Sequence, residues 1–432
     1  MRNRKVIRLL TIFCRIVVGL TFVFSGFVKS VDPHGFALKI EEYLSAFHME
    51  FFSFLSLPAS FLLCGSELVL GLLLLLGIYP KWTSRLLLLI MGFMTLLTLY
   101  LAIADPISDC GCFGDVLILS NWQTFIKNIF LLAFTLYLFF HYGYIGSVFN
   151  TVYRKFALGY AVLYALALLA ISLSFDSVAD FRPYQVGAYL PEKMGETSHD
   201  EMEEVRFIYE KKGEQREFNS ENYPWQDSSW TFIGRVVSQH NDNISQISDF
   251  SVIRYLFDDE RTHIAEEIDI TGEILQESGY VFLIIVPFLP DIKEREIVKI
   301  HALFDYTSAY GYPLYLLTSS LHSDVIEAKK TVFPEAEFCG ADEKALRTII
   351  RSYPGVMVLK QGRVVKKWSR PLIPPEQAWD KPFEELPFAE IVPASRTNAR
   401  NSILCFLLLV IPLGGLKIIQ SISYNYNIKS QS

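Results

Sequence analysis

Two cysteines separated by one glycine, Cys110-Gly111-Cys112, are the residues of this chain whose type and spacing most directly suggest chemistry. Thiols this close can join in a disulfide that closes a small, strained ring. Strain raises the reduction potential, so such a bond opens readily and can pass its oxidation on. Gly111 supplies the backbone freedom that the ring needs. In an oxidising compartment exposed thiols pair, and Lys29 and Lys127, expected at the outer ends of their helices, would lower a thiol pKa by their charge. The pair is therefore read as exchanging disulfides with a partner protein. Two other readings stand beside it: a structural bridge that pins the loop, and a metal site. Zinc takes four ligands, and the nearby candidates, Asp105, Asp109, Asp115 and His34, are mostly carboxylates, poor company for soft thiolates. No metal is expected. Of the other cysteines, Cys14, Cys64 and Cys405 fall in apolar runs and Cys339 reads as a buried strand residue.

Arg15 and Glu67 are two charges inside apolar runs. A charge buried alone in hydrocarbon is costly, so such residues face a bundle interior and pair. At 1.5 Å per residue Arg15 lies about 10 Å and Glu67 about 16 Å from the inner face, a gap that an arginine side chain spans. They are expected to pair with each other, as a packing contact or as part of a quinone or proton path. The histidines are scattered without metal spacing, and the chain holds no G-x-S-x-G, Walker or G-x-G-x-x-G motif. The many Phe and Tyr residues suit membrane interfaces and cores and carry no catalytic meaning.

The elements that must hold these residues follow from hydropathy. The 432 residues are 51% hydrophobic, and the excess is concentrated in blocks of about 20 residues, the length that crosses a bilayer as a helix. Six segments qualify: Val6–Val28, Pro58–Ile78, Arg85–Ile103, Phe125–Tyr144, Phe156–Phe175 and Ile403–Ile422. The first is too long for the apolar core of a signal peptide and has no small-residue cleavage site after it, so it is read as an uncleaved span. Basic residues gather in alternate loops: Arg2, Arg4, Lys5 and Arg8, then Lys81 and Arg85, then Arg154 and Lys155, then Lys417 and Lys429. That bias puts both termini inside, and the 105–121 loop and residues 176–397 outside. Residues 176–397 carry 38 acidic and 24 basic side chains, net −14, and the rest 8 against 15, net +7. With no basic stripe, nucleic-acid binding is excluded. After the first span, Asp32 caps a helix opened by Pro33, and Phe36–Phe47 reads as an amphipathic helix lying on the outer surface.

Residues 1–146 form the expected four-helix membrane unit, 147–175 a fifth span, 176–275 a β-rich segment, 276–392 an α/β domain, and 393–432 a sixth span with a short tail. In 176–275, Val205–Tyr209 and Glu214–Phe218 read as a hairpin and 223–230 as loop. In 276–392 the pattern is a strand at Tyr280–Val286, a helix at Lys293–Tyr310, a strand at Tyr312–Leu317, a helix at Asp324–Val332, a short strand at Ala336–Cys339, a helix at Glu343–Ser352, and a hairpin of Val356–Leu359 with Val364–Trp368. This order, with the ending Tyr353-Pro354-Gly355-Val356-Met357-Val358-Leu359, resembles the thioredoxin fold. The resemblance implies a cis bond before Pro354. It also implies a C-x-x-C after the first strand, where this chain has Pro287-Phe288-Leu289-Pro290-Asp291, so the domain is read as lacking its own redox pair.

The membrane unit has its own resemblance, over roughly residues 8–146. Arg15, Gly19, Ser25-Gly26, Lys29, Asp32-Pro33, Phe36, Glu67 with Gly71, and Asp109-Cys110-Gly111-Cys112-Phe113-Gly114 resemble the DoxX and MauE (methylamine utilisation) membrane families. The whole arrangement is similar to fused DoxX-family proteins of Bacteroidetes. What this implies is an α-helical bundle in the bacterial inner membrane with a periplasmic thioredoxin-like domain, working in envelope thiol–disulfide redox or in maturation of an envelope protein. Cys110 and Cys112 would be the exchanging thiols, the lipid bilayer and a periplasmic redox or client protein the partners. Two other classes stay open: a non-catalytic scaffold that binds partners through its periplasmic domain, and a membrane protein handling a quinone or other small molecule, the quinone being the one cofactor considered.

Overall fold

A run of about 20 apolar residues in lipid can satisfy its backbone polar groups only as a helix. In the computed structural model six helices among the described residues are long and apolar enough to cross a membrane, and the chain is a multi-pass membrane protein with a mixed-sheet domain between its fifth and sixth spans. The structure describes residues 2–107, 109–175, 178–195, 205–211, 214–218, 230–237, 247, 250–258 and 263–429.

The first helices are α1 (Arg2–Val31), α2 (Pro33–Ala46), α3 (Ser56–Leu76), α4 (Pro80–Ala104), α5 (Asn121–Phe140) and α6 (Thr151–Phe175). All five expected spans before the domain occur, with shifted ends. α5 begins four residues earlier than expected because Ser120 and Gln123 form a capping box. α1 and α3 pack antiparallel along a seam of small residues. A Cβ on Gly26 would stand 2.3 Å from Leu68 N, and one on Gly71 2.7 Å from Val23 N. Only glycine lets the two backbones approach this closely, the usual basis of tight helix pairing in lipid. α2 starts at Pro33, with the Asp32 carboxylate accepting from Gly35 N at 3.0 Å. It is not simply laid on the surface, since it also carries the contacts to the domain described below.

The domain continues with α7 (Leu190–Lys193), β1 (Val205–Lys211), β2 (Glu214–Phe218), β3 (Thr231–Val237), β4 (Ile253–Phe257), β5 (Ile264–Asp269), α8 (Thr271–Gln276), β6 (Tyr280–Ile285), α9 (Glu294–Tyr310), β7 (Leu314–Thr318), α10 (His322–Thr331), β8 (Glu337–Gly340), α11 (Glu343–Ile349), β9 (Gly355–Lys360) and β10 (Arg363–Trp368). β1 pairs with β2 and β3 in a small antiparallel sheet. The turn at 212–213 and nearly all of the loop expected over 223–230 lie outside the described residues. The main sheet has the order β10-β9-β6-β7-β8-β4-β5, with β6, β7 and β8 parallel and the other pairs antiparallel. β4 and β5, expected in a separate segment, are the edge of this same sheet. β6 is buried on both faces. Its Phe282 and Ile284 join one core with Leu303 and Phe338, and its Val281, Leu283 and Ile285 join another with Leu346 and Met357, as the two-residue period of a central strand requires. Cys339 lies fully buried in β8, where burial pushes its thiol up to about 12. The Tyr353–Pro354 bond is cis.

α12 (Ala394–Lys429) is the last span and holds Pro412. A proline offers no N–H to the carbonyl four residues back. That carbonyl, Leu408 O, accepts instead from the Tyr160 hydroxyl of α6, and one turn earlier Tyr164 donates to Cys405 O at 3.0 Å.

Candidate thiol site at the domain-facing end of the bundle

The loop between α4 and α5 carries the cysteine pair, and its ends are fixed before its centre. The side-chain amide of Asn121, the first residue of α5, donates to Asp105 Oδ1 at 2.9 Å and to Ile107 O at 2.8 Å. Gly111 takes φ +64°, a conformation open to glycine, and its N–H donates to Asp109 Oδ1 at 2.8 Å. A Cβ there would also meet Lys39 Cγ at 2.8 Å. The resulting turn brings Cys110 Sγ and Cys112 Sγ to 2.7 Å, both as free thiols. Cys110 is 5% exposed.

Hydroxyls from the bundle hold both cysteine carbonyls. Tyr43 of α2 donates to Cys110 O at 2.7 Å. Ser25 Oγ of α1 stands 2.8 Å from Cys112 O and 2.8 Å from Glu67 Oε2, two acceptors for one hydroxyl proton. One turn along α1 from Ser25, Lys29 Nζ pairs with Glu67 at 2.6 Å, with side chains 3% and 7% exposed. Lys127 Nζ lies 4.2 Å from the centre of the Phe113 ring, a cation–π contact. On the outer rim Lys39 bridges Glu42 at 2.7 Å and Asp109 at 3.0 Å.

The two thiols are electrostatically unlike. The hydrogen bond from the Cys110 thiol, with the charges of Lys127 and Lys29 nearby, holds Cys112 down at about 6 against the upward push of burial. Donation in that same bond, together with burial, keeps Cys110 protonated far above the ordinary thiol range. One thiolate beside one thiol is the arrangement from which disulfide exchange starts.

The expected Arg15–Glu67 pair does not form. The α1–α3 seam sets Gly26 against Leu68 and Gly19 against Leu75, which brings Glu67 within a turn of Lys29. Arg15 comes level with the far end of α3, where it donates to Leu74 O at 2.9 Å, to Leu75 O, and to Gly146 O at 2.8 Å. There it ties the last turn of α3, whose Leu74 O also accepts from Gly77 N at 3.1 Å, to the loop at Gly146. Lys29, Lys127, Cys110, Cys112 and Glu67 thus come together, while Arg15 and Pro354 lie elsewhere. Among the described residues no three His, Cys, Asp or Glu side chains converge to hold a metal ion.

Sequence reading missed Tyr43 and a cavity of about 220 Å³ that the thiols face. Phe36, Ile40, Tyr43 and Phe47 all line that cavity, and their spacing along α2 is the available signal, since it is one face of a helix. Ile90, Met91, Met94 and Leu97 of α4 line it too.

The domain meets this end of the bundle through α11 and the residues after it. Arg351 Nη2 pairs with Asp32 Oδ2 at 2.7 Å, Lys344 with Glu42 at 2.6 Å, and Arg347 with Glu41 at 3.4 Å. Burial pushes the Asp32 carboxyl up, but the Arg351 and Arg182 guanidinium groups outweigh it and hold the pKa below its ordinary value.

Residues 7–141 match the family model of the methylamine utilisation protein MauE, and residues 203–239 match that of a domain of unknown function. Protein TlpB of Flavobacterium psychrophilum is 28% identical over 161 residues, which cover 36% of this chain and 43% of that protein. The chain therefore spans less than half the length of this curated relative. No solved structure matches the chain.

Proposed function

We propose that this protein is a membrane component of thiol–disulfide exchange, in which Cys110 and Cys112 pass oxidation to a partner protein of the bacterial envelope. The observation that carries the reading is the pair itself: two thiols 2.7 Å apart, one of them stabilised as thiolate by its neighbour and by two lysines. The match to the methylamine utilisation protein MauE over residues 7–141 supports a role in maturing an envelope protein. The basic residues of the loops at the far end of the bundle support an inner-membrane topology with cytoplasmic termini and a periplasmic domain.

In this reading the 276–392 domain is thioredoxin-like and serves as a docking module for the client. Its order β7-β6-β9-β10, with β6 and β7 parallel and β9 and β10 antiparallel, is that of the core of such a fold, and a cis proline precedes β9. Without a C-x-x-C after β6 the domain cannot exchange disulfides alone. Its Arg351 end sits on α2 beside the loop that has the thiols.

Thiol trapping of the purified protein across graded glutathione ratios tests the proposal. The pair is expected to pass from oxidised to reduced within the range set by cellular glutathione, roughly −180 to −300 mV. A pair that stays oxidised at far more reducing ratios is a structural bridge, and the proposal is then wrong.

A further inference from the structure

We propose that the cavity beside Cys112 admits the ring of a membrane quinone, which takes the electron pair of Cys110 and Cys112. This inference rests on the exchange reading and adds its oxidant. A dithiol that oxidises a client must itself be reoxidised, and the cavity gives one class of oxidant a route to it. Its walls are apolar, among them Phe22, Met91 and Leu131. Phe93 of its lining is 61% exposed on the span α4, on a side that faces hydrocarbon, so the cavity has an opening toward lipid. A charged, water-soluble oxidant is unsuited to that route, and a lipid-soluble one is suited to it. The cavity has room for one substituted ring, with an isoprenoid tail left in the opening.

A second observation points to the same ligand class. Polar groups gather at the thiol end of the cavity. Lys29 is paired with Glu67, and Asn128 donates to Thr98 Oγ1 at 3.1 Å. Among the described residues, Lys127 lines the cavity, and its ammonium has an aromatic ring as its partner and no carboxylate. A cation in the wall of an apolar cavity suits a ligand whose oxygens become electron-rich on reduction. In the reaction the Cys110 S–H bond is lost, one Sγ–Sγ bond forms, and water returns the proton that Cys112 gave up on ionising. The two electrons and two protons pass to the quinone, whose two carbonyl oxygens become the hydroxyls of the quinol. No other reactant is needed.

The test uses the full chain in lipid nanodiscs, reduced and freed of reductant, with decylubiquinone as probe. This quinone is fully substituted, so its ring does not add thiols. The expected result is one quinol formed and one Cys110–Cys112 disulfide gained per protein, with glutathione disulfide reacting as the comparison oxidant. Filling the cavity with Met94→Trp is expected to lower the ratio of the quinone rate to the glutathione rate about tenfold, equivalent to about 1.4 kcal/mol. Phe93→Trp at the opening gives a second variant should the first fail to fold. If glutathione disulfide oxidises the pair and the quinone does not, or if neither variant changes the ratio, the quinone inference is wrong and the exchange reading stands. If neither oxidant forms the disulfide in the unaltered protein, both are wrong.

Discussion

Cys112 owes its ionisation first to one hydrogen bond, and that makes its reactivity adjustable from a neighbour. Alkylation needs the thiolate, so the rate of iodoacetamide modification at Cys112 should rise with pH through a midpoint near 6, where the Cys110 donor and the two lysines hold it. In Cys110→Ala the donor is lost, and the midpoint should climb toward the ordinary thiol value of about 8.5. Lys127→Met should raise it by less, because the lysine is the smaller influence. Alkylation followed by mass spectrometry over pH 5–9 checks both. A midpoint indifferent to Cys110 would mean that the two sulfurs do not share a proton. The same residue scale explains why Lys29 and Lys127 were legible as neighbours of the pair: both stand at helix ends that the loop must approach, a fact of span length alone. Tyr43 was not, because its role depends on which face of α2 turns inward.

At the scale of elements, α1 and α3 act as a single unit whose register is set by glycine. Gly71→Val would drive a side chain into the Val23 backbone, and the bundle should lose about 1–3 kcal/mol as overpacked cores do. The Lys29–Glu67 pair provides a sharper test, because the seam buries it. Glu67→Leu alone leaves an ammonium without its partner and should cost about 3–5 kcal/mol, whereas Glu67→Leu combined with Lys29→Met removes both charges and should cost less. Unfolding of the bundle in mixed micelles, followed by helical circular dichroism, measures these differences. Equal losses in the single and double variants would show that the pair does not act as one. Six spans were readable from the sequence because length and hydropathy are local properties. The pairing of charges was not: sequence depth favoured Arg15 with Glu67, and the close approach at Gly26 and Gly71, a property of two helices together, gave Glu67 to Lys29.

In the whole molecule, ion pairs join the domain to the bundle, with bases of α11 and Arg351 on acids of the α1–α2 region. Arg351→Ala should weaken this docking by about 2 kcal/mol, between the values for exposed and buried pairs. Acid should act in the same direction. The Asp32 pKa is lower when docked than free, so its contribution is complete above the free value and disappears as pH falls through the docked one. Hydrogen exchange in α2 and α11 should therefore quicken in Arg351→Ala at neutral pH and in the unaltered protein below about pH 4, the ordinary range of a carboxyl group. Unchanged protection in the variant would show that apolar contacts, and not this pair, hold the domain.

What the sequence determined by itself is what short-range chemistry dictates. Helical length in apolar runs set the spans, two-residue alternation and turn residues set the strands of the domain, and the Cys-Gly-Cys spacing set which thiols could meet. Only the tertiary structure decided what surrounds them. The cavity is a space left between five helices. The ion pair follows from a register fixed by two glycines on separate helices. The domain reaches the loop through Asp32 and Arg351, 319 residues apart in the chain. Such relations arise from packing between distant segments, and no local pattern of residues encodes them.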